Sequence, residues 1–165
     1  LTQQAEGARS RREPLTVLML DVDGLKRVND VHGHAAGDEV LCALGRVLER
    51  HVRGRGEAGR IGGDEFLVVL PGTTGEQGEA LAHRIVDAFQ RELARAALPE
   101  ALSPCPGLSI GVAALERGEE SPDMRWERDL IFHADAALYE AKEHGKGQVR
   151  SVMSSSLAEA GPRER

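Results

Sequence analysis

The spacing of apolar residues switches between two periods along this chain, and the switches mark its elements. "LTVLMLDVD" opens with an unbroken apolar run and closes on Asp21 and Asp23, which predicts a buried strand ending in acids. "LKRVNDVHG" reads as a short helix that Gly33 can terminate. In "GDEVLCALGRVLERHV", Val40, Leu41, Leu44, Val47 and Leu48 share one helical face. Asp38 and Glu39 are expected in its first turn, where negative charge suits the helix dipole. "RGRGEAGRI" is glycine-rich and then strand-like, and "EFLVVLP" is a second extended run beyond Gly62-Gly63. Together they predict a β-hairpin whose glycine pair supplies a two-residue turn at positive φ.

After "GTTGEQ", Leu81, Ile85, Phe89 and Leu93 recur at every fourth position of a long amphipathic helix. "PGLSIGVAAL" is a further strand, and residues 116–125 form a polar loop. "ERDLIFHADAALYEAKEHG" is a helix with Leu130, Ile131, Ala134, Leu138 and Ala141 inward, and "GQVRSVM" is a closing strand. The order β-α-α-β-β-α-β-α-β predicts an α+β fold, with helices packed on a mostly antiparallel central sheet. Its centre, βαββαβ, is the ferredoxin-like arrangement. Residues 1–13 read as the remnant of a linker helix closed by Pro14, and 154–165 as a disordered tail.

Composition narrows the class. The chain has 165 residues, enough for one domain with its own core. Its net charge is −6 and no Lys/Arg stripe runs along it, which argues against a nucleic-acid partner. The longest apolar run, Val17 to Leu20, is far too short to cross a bilayer. Cys42 and Cys105 fit no metal or redox spacing, so a reducing cytoplasm is expected, with Cys42 packed as a small hydrophobe. The chain starts at Leu1 and reads as a piece of a longer protein, whose missing N-terminal region could carry a membrane anchor.

The candidate chemistry lies in the acids. Asp21 and Asp23 fall on one face of the first strand if it extends that far. If that strand pairs with the hairpin, Asp21 and Asp64 converge, and carboxylates brought together repel unless a cation lies between them. An all-oxygen site suits Mg2+, which takes its remaining ligands from water and substrate phosphates. Gly24 opens a helix whose N-terminal amides form an anion site, and Lys26 adds positive charge there. Taken singly, each feature has a plainer reading: acids that end a strand, solvated lysines, a Gly-Gly turn.

Several motifs together resemble the GGDEF family of diguanylate cyclases. They are "DVDGLKRVNDVHGHAAGDEVL" at 21–41, "RIGGDEF" at 60–66, "LSIGVA" at 108–113 and "ADAALYEAKEHGKG" at 134–147, in the family's order. The resemblance implies a nucleotide-cyclase, palm-like catalytic domain over 14–153. It implies that two GTP molecules are joined into cyclic di-GMP, with release of pyrophosphate, by a homodimer carrying one GTP per subunit. It further implies metal at Asp21, the Val22 carbonyl and Asp64, with Mg2+ the expected ion and Mn2+ the alternative. Asp64 would accept the attacking hydroxyl's proton and Glu65 would assist. Asn29, Asp38 and His34 would line the guanine pocket. Gly24, Leu25, Lys26, Gly62, Gly63, Lys142 and Lys146 would contact the rest of the nucleotide. An upstream sensory or regulatory domain is the implied partner.

Three departures from the family pattern change expectations. The Arg-x-x-Asp product-inhibition window reads Arg53-Gly54-Arg55-Gly56, which implies weak or absent inhibition through that site. Lys146 stands where an arginine is usual and loses the bidentate fork. The segment before the first strand is incomplete. Two alternatives stay open: a silent GGDEF domain that binds GTP or cyclic di-GMP as a regulatory module, and a Mg2+-dependent cyclase acting on one nucleotide.

Overall fold

A computed structural model describes residues 7, 11, 13–95, 106–116 and 126–152. The linker-helix reading of 1–13 lies almost wholly outside the described residues. Cys105, most of the polar loop and the 154–165 tail lie outside them too. The elements are β1 (Leu15–Asp23), α1 (Leu25–His32), α2 (His34–Val52), β2 (Glu57–Arg60) and β3 (Glu65–Pro71). They continue with α3 (Gly75–Arg95), β4 (Gly107–Leu115), α4 (Trp126–Glu143) and β5 (Val149–Val152). This is the order that the hydrophobic spacing predicts.

The sheet runs β2-β3-β1-β4-β5. β1 is antiparallel to both neighbours, β2 and β3 form the hairpin, and β5 lies parallel to β4 at the far edge. β1 is central and covered on both faces, which is why its apolar run is unbroken rather than alternating. Leu18, Leu20 and Val22 join Phe66, Val68, Leu70, Leu108 and Ile110 against α1, α2 and α3. Leu15, Val17 and Met19 join Leu67, Val69, Ala113 and Leu115 against Leu130, Ala134 and Leu138 of α4. Asp21 and Asp23 continue the second series, so their side chains emerge on the α4 side where that core ends.

Three expectations change. α2 starts at His34, so Asp38 and Glu39 lie in its second turn, and its first turn holds no acid. Gly33, at φ 83°, ends α1 and opens α2 at once, a left-handed step that leaves no linker to absorb. Ile131 is 37% exposed, whereas Ala137 is fully buried. α4 lies so close to β4 that small residues fill its inner stripe. A Cβ at Gly111 would overlap the Ala134 carbonyl oxygen and the Leu138 amide nitrogen, both backbone atoms. Cys42 is exposed rather than packed, because it falls between the inward-facing Leu41 and Ala43.

Polar contacts link α2 to α3. Glu92 of α3 accepts from Arg50 at 2.6 Å and Arg46 at 3.0 Å, both on α2. The hydrogen bonds from Arg50 and then Arg46 hold its carboxyl below the usual range. This contribution is present above the ordinary carboxylate pKa and is lost as pH falls through the depressed one. Among the described residues, no helix is long and apolar enough to cross a membrane.

Candidate active site

The register of β1 brings the sequence-distant acids together. Asp21 stands opposite Glu65 on β3 and Ser109 on β4. One residue on, the Val22 N–H donates to the Asp64 carbonyl at 3.2 Å, tying the loop before β3 to the end of β1. The Val22 side chain is buried in the core on the opposite face, so only its backbone is offered to the site.

Asp21 is buried, and its Oδ2 lies 2.7 Å from the Lys142 ammonium of α4. Burial pushes the Asp21 carboxyl above the ordinary aspartate range. The hydrogen bond and charge of Lys142 oppose that shift, and the charges of Asp64 and Asp23 add to it. A carboxyl raised on folding binds its proton more tightly in the folded chain. Ionising Asp21 therefore lowers stability as pH climbs from its unfolded to its folded pKa.

Asp23 has a different task. It accepts from the Ser109 hydroxyl at 2.8 Å and from the Gly147 N–H at 2.9 Å. These bonds tie the Gly145-Lys146-Gly147 turn to the end of β1. Lys146 holds φ 61°, a left-handed conformation costly for a residue with a Cβ, and the flanking glycines also have positive φ. Asp23 is thus the anchor that brings Lys146 to this end of the sheet, while its Oδ1 has no hydrogen-bond partner among protein atoms.

The "RIGGDEF" loop differs from the expected two-residue turn. β2 and β3 are joined through Ile61–Asp64, and neither Gly62 nor Gly63 has positive φ. The Ile61 and Gly62 N–H groups both donate to the Glu65 carbonyl, at 3.0 and 3.3 Å. The Arg60 guanidinium binds the Gly62 and Gly63 carbonyls, with Nη2 2.6 Å from the latter, and holds the loop from outside. The glycines serve space instead of turn handedness. A Cβ on Gly62 would sit 2.6 Å from a Glu65 carboxylate oxygen, and beside Gly63 there is nothing within 4 Å.

On the other side of Asp21, Gly24 caps α1 in the left-handed region with open space around it. The first amide bonded within the helix is that of Val28, to the Gly24 carbonyl at 3.2 Å. The N–H groups of Leu25 to Arg27 have no intrahelical acceptor, as at any helix start. Leu25 buries its side chain in the core and Lys26 is exposed, so one contributes backbone and the other charge. Asn29 is half-buried, and His34 and Asp38 lie exposed on α2. The Asn29 carboxamide rests against Gly37, where a Cβ would overlap its oxygen.

Arg60, Gly37 and Gly111 escape sequence reasoning. Gly37 left a trace: glycine inside a helix costs about 1 kcal/mol relative to alanine, which signals a close contact. That trace was hidden because the helix reads from the sequence as starting at Gly37. Arg60 carries no spacing signal.

The donor set fits a hard divalent cation. Two carboxylates, Asp21 and Asp64, and a backbone carbonyl are all oxygen donors. Magnesium commonly uses one or two carboxylates and completes its shell with water and phosphate oxygens. No group of three or more His, Cys, Asp or Glu among the described residues is arranged to hold an ion.

Comparison with known proteins agrees with the fold. Residues 1–148 match the family described as "Diguanylate cyclase, GGDEF domain". Diguanylate cyclase DgcM of Escherichia coli K12 is 39% identical over 134 residues, covering 81% of this chain and 30% of that protein. Among such relatives the chain spans 28% to 41% of the partner's length. The active GGEEF domain of a diguanylate cyclase from Vibrio cholerae superposes with a TM-score of 0.75 at 32% identity, over 90% of this chain and 89% of that one. The GGDEF domain of DgcB from Caulobacter crescentus, solved in complex with c-di-GMP, gives 0.74 at 25% identity, over 90% and 84%. With its ferredoxin-like sheet, its acids meeting across β1 and β3, and its match over residues 1–148, the chain belongs to the GGDEF family of diguanylate cyclase domains.

Proposed function

We propose that this domain condenses two molecules of GTP into cyclic di-GMP, as a two-fold pair with one GTP held by each subunit. The observation that carries the reading is the meeting of Asp21 and Asp64 beside the open N-terminus of α1. Carboxylates and helix-start amides side by side suit a metal–triphosphate.

In this reading Asp21, the Val22 carbonyl and Asp64 hold Mg2+, which when bound polarises the phosphate and neutralises the departing pyrophosphate. The α1 amides and Lys26 bind phosphate oxygens, and Lys146 offers a point charge from its fixed turn. Asp38 accepts from the N1–H and N2–H2 edge of guanine, and Asn29 offers both a donor and an acceptor. Adenine lacks that donor edge. Asp64 takes the proton from the 3′-hydroxyl facing it from the other subunit's nucleotide, and Glu65 supports it. The new bond joins that 3′-oxygen to the α-phosphorus, the bond to pyrophosphate breaks, and the same exchange in the opposite sense closes the ring. A two-fold symmetric product suits an isologous pair.

The test is incubation of concentrated protein with GTP and Mg2+, followed by separation of the nucleotides. Cyclic di-GMP formed at a rate rising faster than protein concentration supports both the chemistry and the pairing. Nucleotide binding without product would favour the silent regulatory module, and a cyclic mononucleotide would favour the single-substrate cyclase.

Gly37→Ala is a sharper probe of the guanine pocket. The added methyl must push the Asn29 carboxamide aside, while helix propensity offsets the packing cost by up to about 1 kcal/mol. The expected result is an unchanged melting temperature and GTP affinity reduced about tenfold, the size of one lost polar contact. Equal GTP affinity in parent and variant would remove Asn29 from the pocket.

Product inhibition through the Arg53 window is expected to be weak. Arg53 is paired with Glu49 one turn earlier on α2. A Cβ at Gly56 would overlap the Val69 carbonyl oxygen of β3, so no acid can occupy this position without moving the strand. A cyclic di-GMP titration of the initial rate checks this, and tight inhibition abolished by Arg53→Ala would contradict it.

A further inference from the structure

The resemblance assigns Lys142 to the phosphates, yet its ammonium lies against Asp21, one of the two carboxylates read above as metal ligands. We propose that Lys142 is a resident counter-ion of Asp21 that gives way to the divalent cation and moves to a nucleotide phosphate, so that cation and triphosphate each bind weakly alone and strongly together. The inference deepens the reading of the site given above and rests on it.

The geometry supports an exchange rather than a permanent bond. Lys142 Nζ is 2.7 Å from Asp21 Oδ2, at direct hydrogen-bond distance and on the carboxylate that a cation would use in this reading. An ammonium and a divalent ion held on the same carboxylate repel each other, which weakens the binding of both. The two partners differ in freedom: the Asp21 side chain is 9% exposed and fixed on the central strand, whereas that of Lys142 is 33% exposed on a flexible stem. The last turn of α4 is itself held. The Ala141 carbonyl accepts from the Lys146 N–H and from Gln148 Nε2, both at 3.0 Å. The ammonium can therefore swing while its helix stays in place.

Charge makes the exchange productive. Asp23, Asp64 and Glu65 lie around Asp21, and Asp23 is already satisfied in part by Ser109 and Gly147. Displacing Lys142 without offering it another anion would strand a cation beside the newly bound metal. A triphosphate supplies that anion, which is the physical source of the coupling.

The test uses the intact chain, free of nucleotide, with Mn2+ binding followed by the electron paramagnetic resonance of the free ion. Lys142→Gln is expected to bind Mn2+ about tenfold more tightly than the parent, and Lys142→Arg about as weakly as the parent. 3′-Deoxy-GTP, which lacks the attacking hydroxyl, should raise the parent's Mn2+ affinity about tenfold or more, and that factor should shrink in Lys142→Gln. Melting curves check that each variant is folded, and Asp21→Asn identifies binding at this site by its loss. Equal Mn2+ affinity in parent and Lys142→Gln, with binding still lost in Asp21→Asn, overturns the exchange and leaves the functional reading standing. Absence of Asp21-dependent Mn2+ binding in every variant, with or without 3′-deoxy-GTP, overturns both.

Discussion

Replacing Asp64 by asparagine is expected to lower cyclic di-GMP formation by about 10³-fold or more, because in the proposed mechanism a proton acceptor and a metal ligand disappear together. The fold should hardly register the change. Asp64 is half-buried, its bond to Val22 uses the backbone carbonyl, and its charge adds to the repulsion around Asp21. The variant should melt at or slightly above the temperature of the parent, consistent with a site that gives up stability for function. Initial rates with GTP and Mg2+, measured beside thermal melts, check both halves. A variant that keeps a tenth of the parent's rate would exclude Asp64 from the chemistry.

Gly111→Ala should have the largest effect on stability. Its methyl would meet main-chain atoms of α4 at two residues, Ala134 and Leu138, and no side-chain rotation relieves that overlap. The helix must move off the sheet, an overpacking cost of about 3 kcal/mol, which lowers the melting temperature by roughly 10 °C. Activity should fall further than stability alone explains, because α4 also carries Lys142 to Asp21. Gly45→Ala is the matched control. Nothing lies within 4 Å of its added Cβ, so it should melt at or above the parent temperature through helix propensity. Equal melting of Gly111→Ala and parent would mean that α4 does not pack this closely in solution.

Much of the fold was legible from local pattern. The unbroken run of β1, the four-residue spacing in α3 and the inward set Val40, Leu41, Leu44, Val47 and Leu48 all read correctly, because each reports on residues within one element. The errors fall where an element is shaped by its neighbour. Ile131 looked inward by spacing, but the close approach of α4 to Gly111 selects Ala137 instead. The glycine pair of "RIGGDEF" looked like a turn demanding positive φ. The loop instead closes through backbone bonds to Glu65 and the Arg60 guanidinium, and the glycines leave room.

The candidate site divides in the same way. The sequence by itself determined which residues could carry the chemistry: acids after a buried strand, acids after a glycine pair, a glycine-opened helix and lysines near both. Only the tertiary structure decided which of these meet. The β1–β3 register sets Asp21 beside Glu65 and Asp64, Gly37 clears the space that Asn29 uses, and α4 delivers Lys142 to Asp21 rather than to open solvent. Periodicity records the environment along one element. The distance between two elements is set by register and by side-chain size at their contact, and a single glycine such as Gly111 can fix it without leaving a pattern.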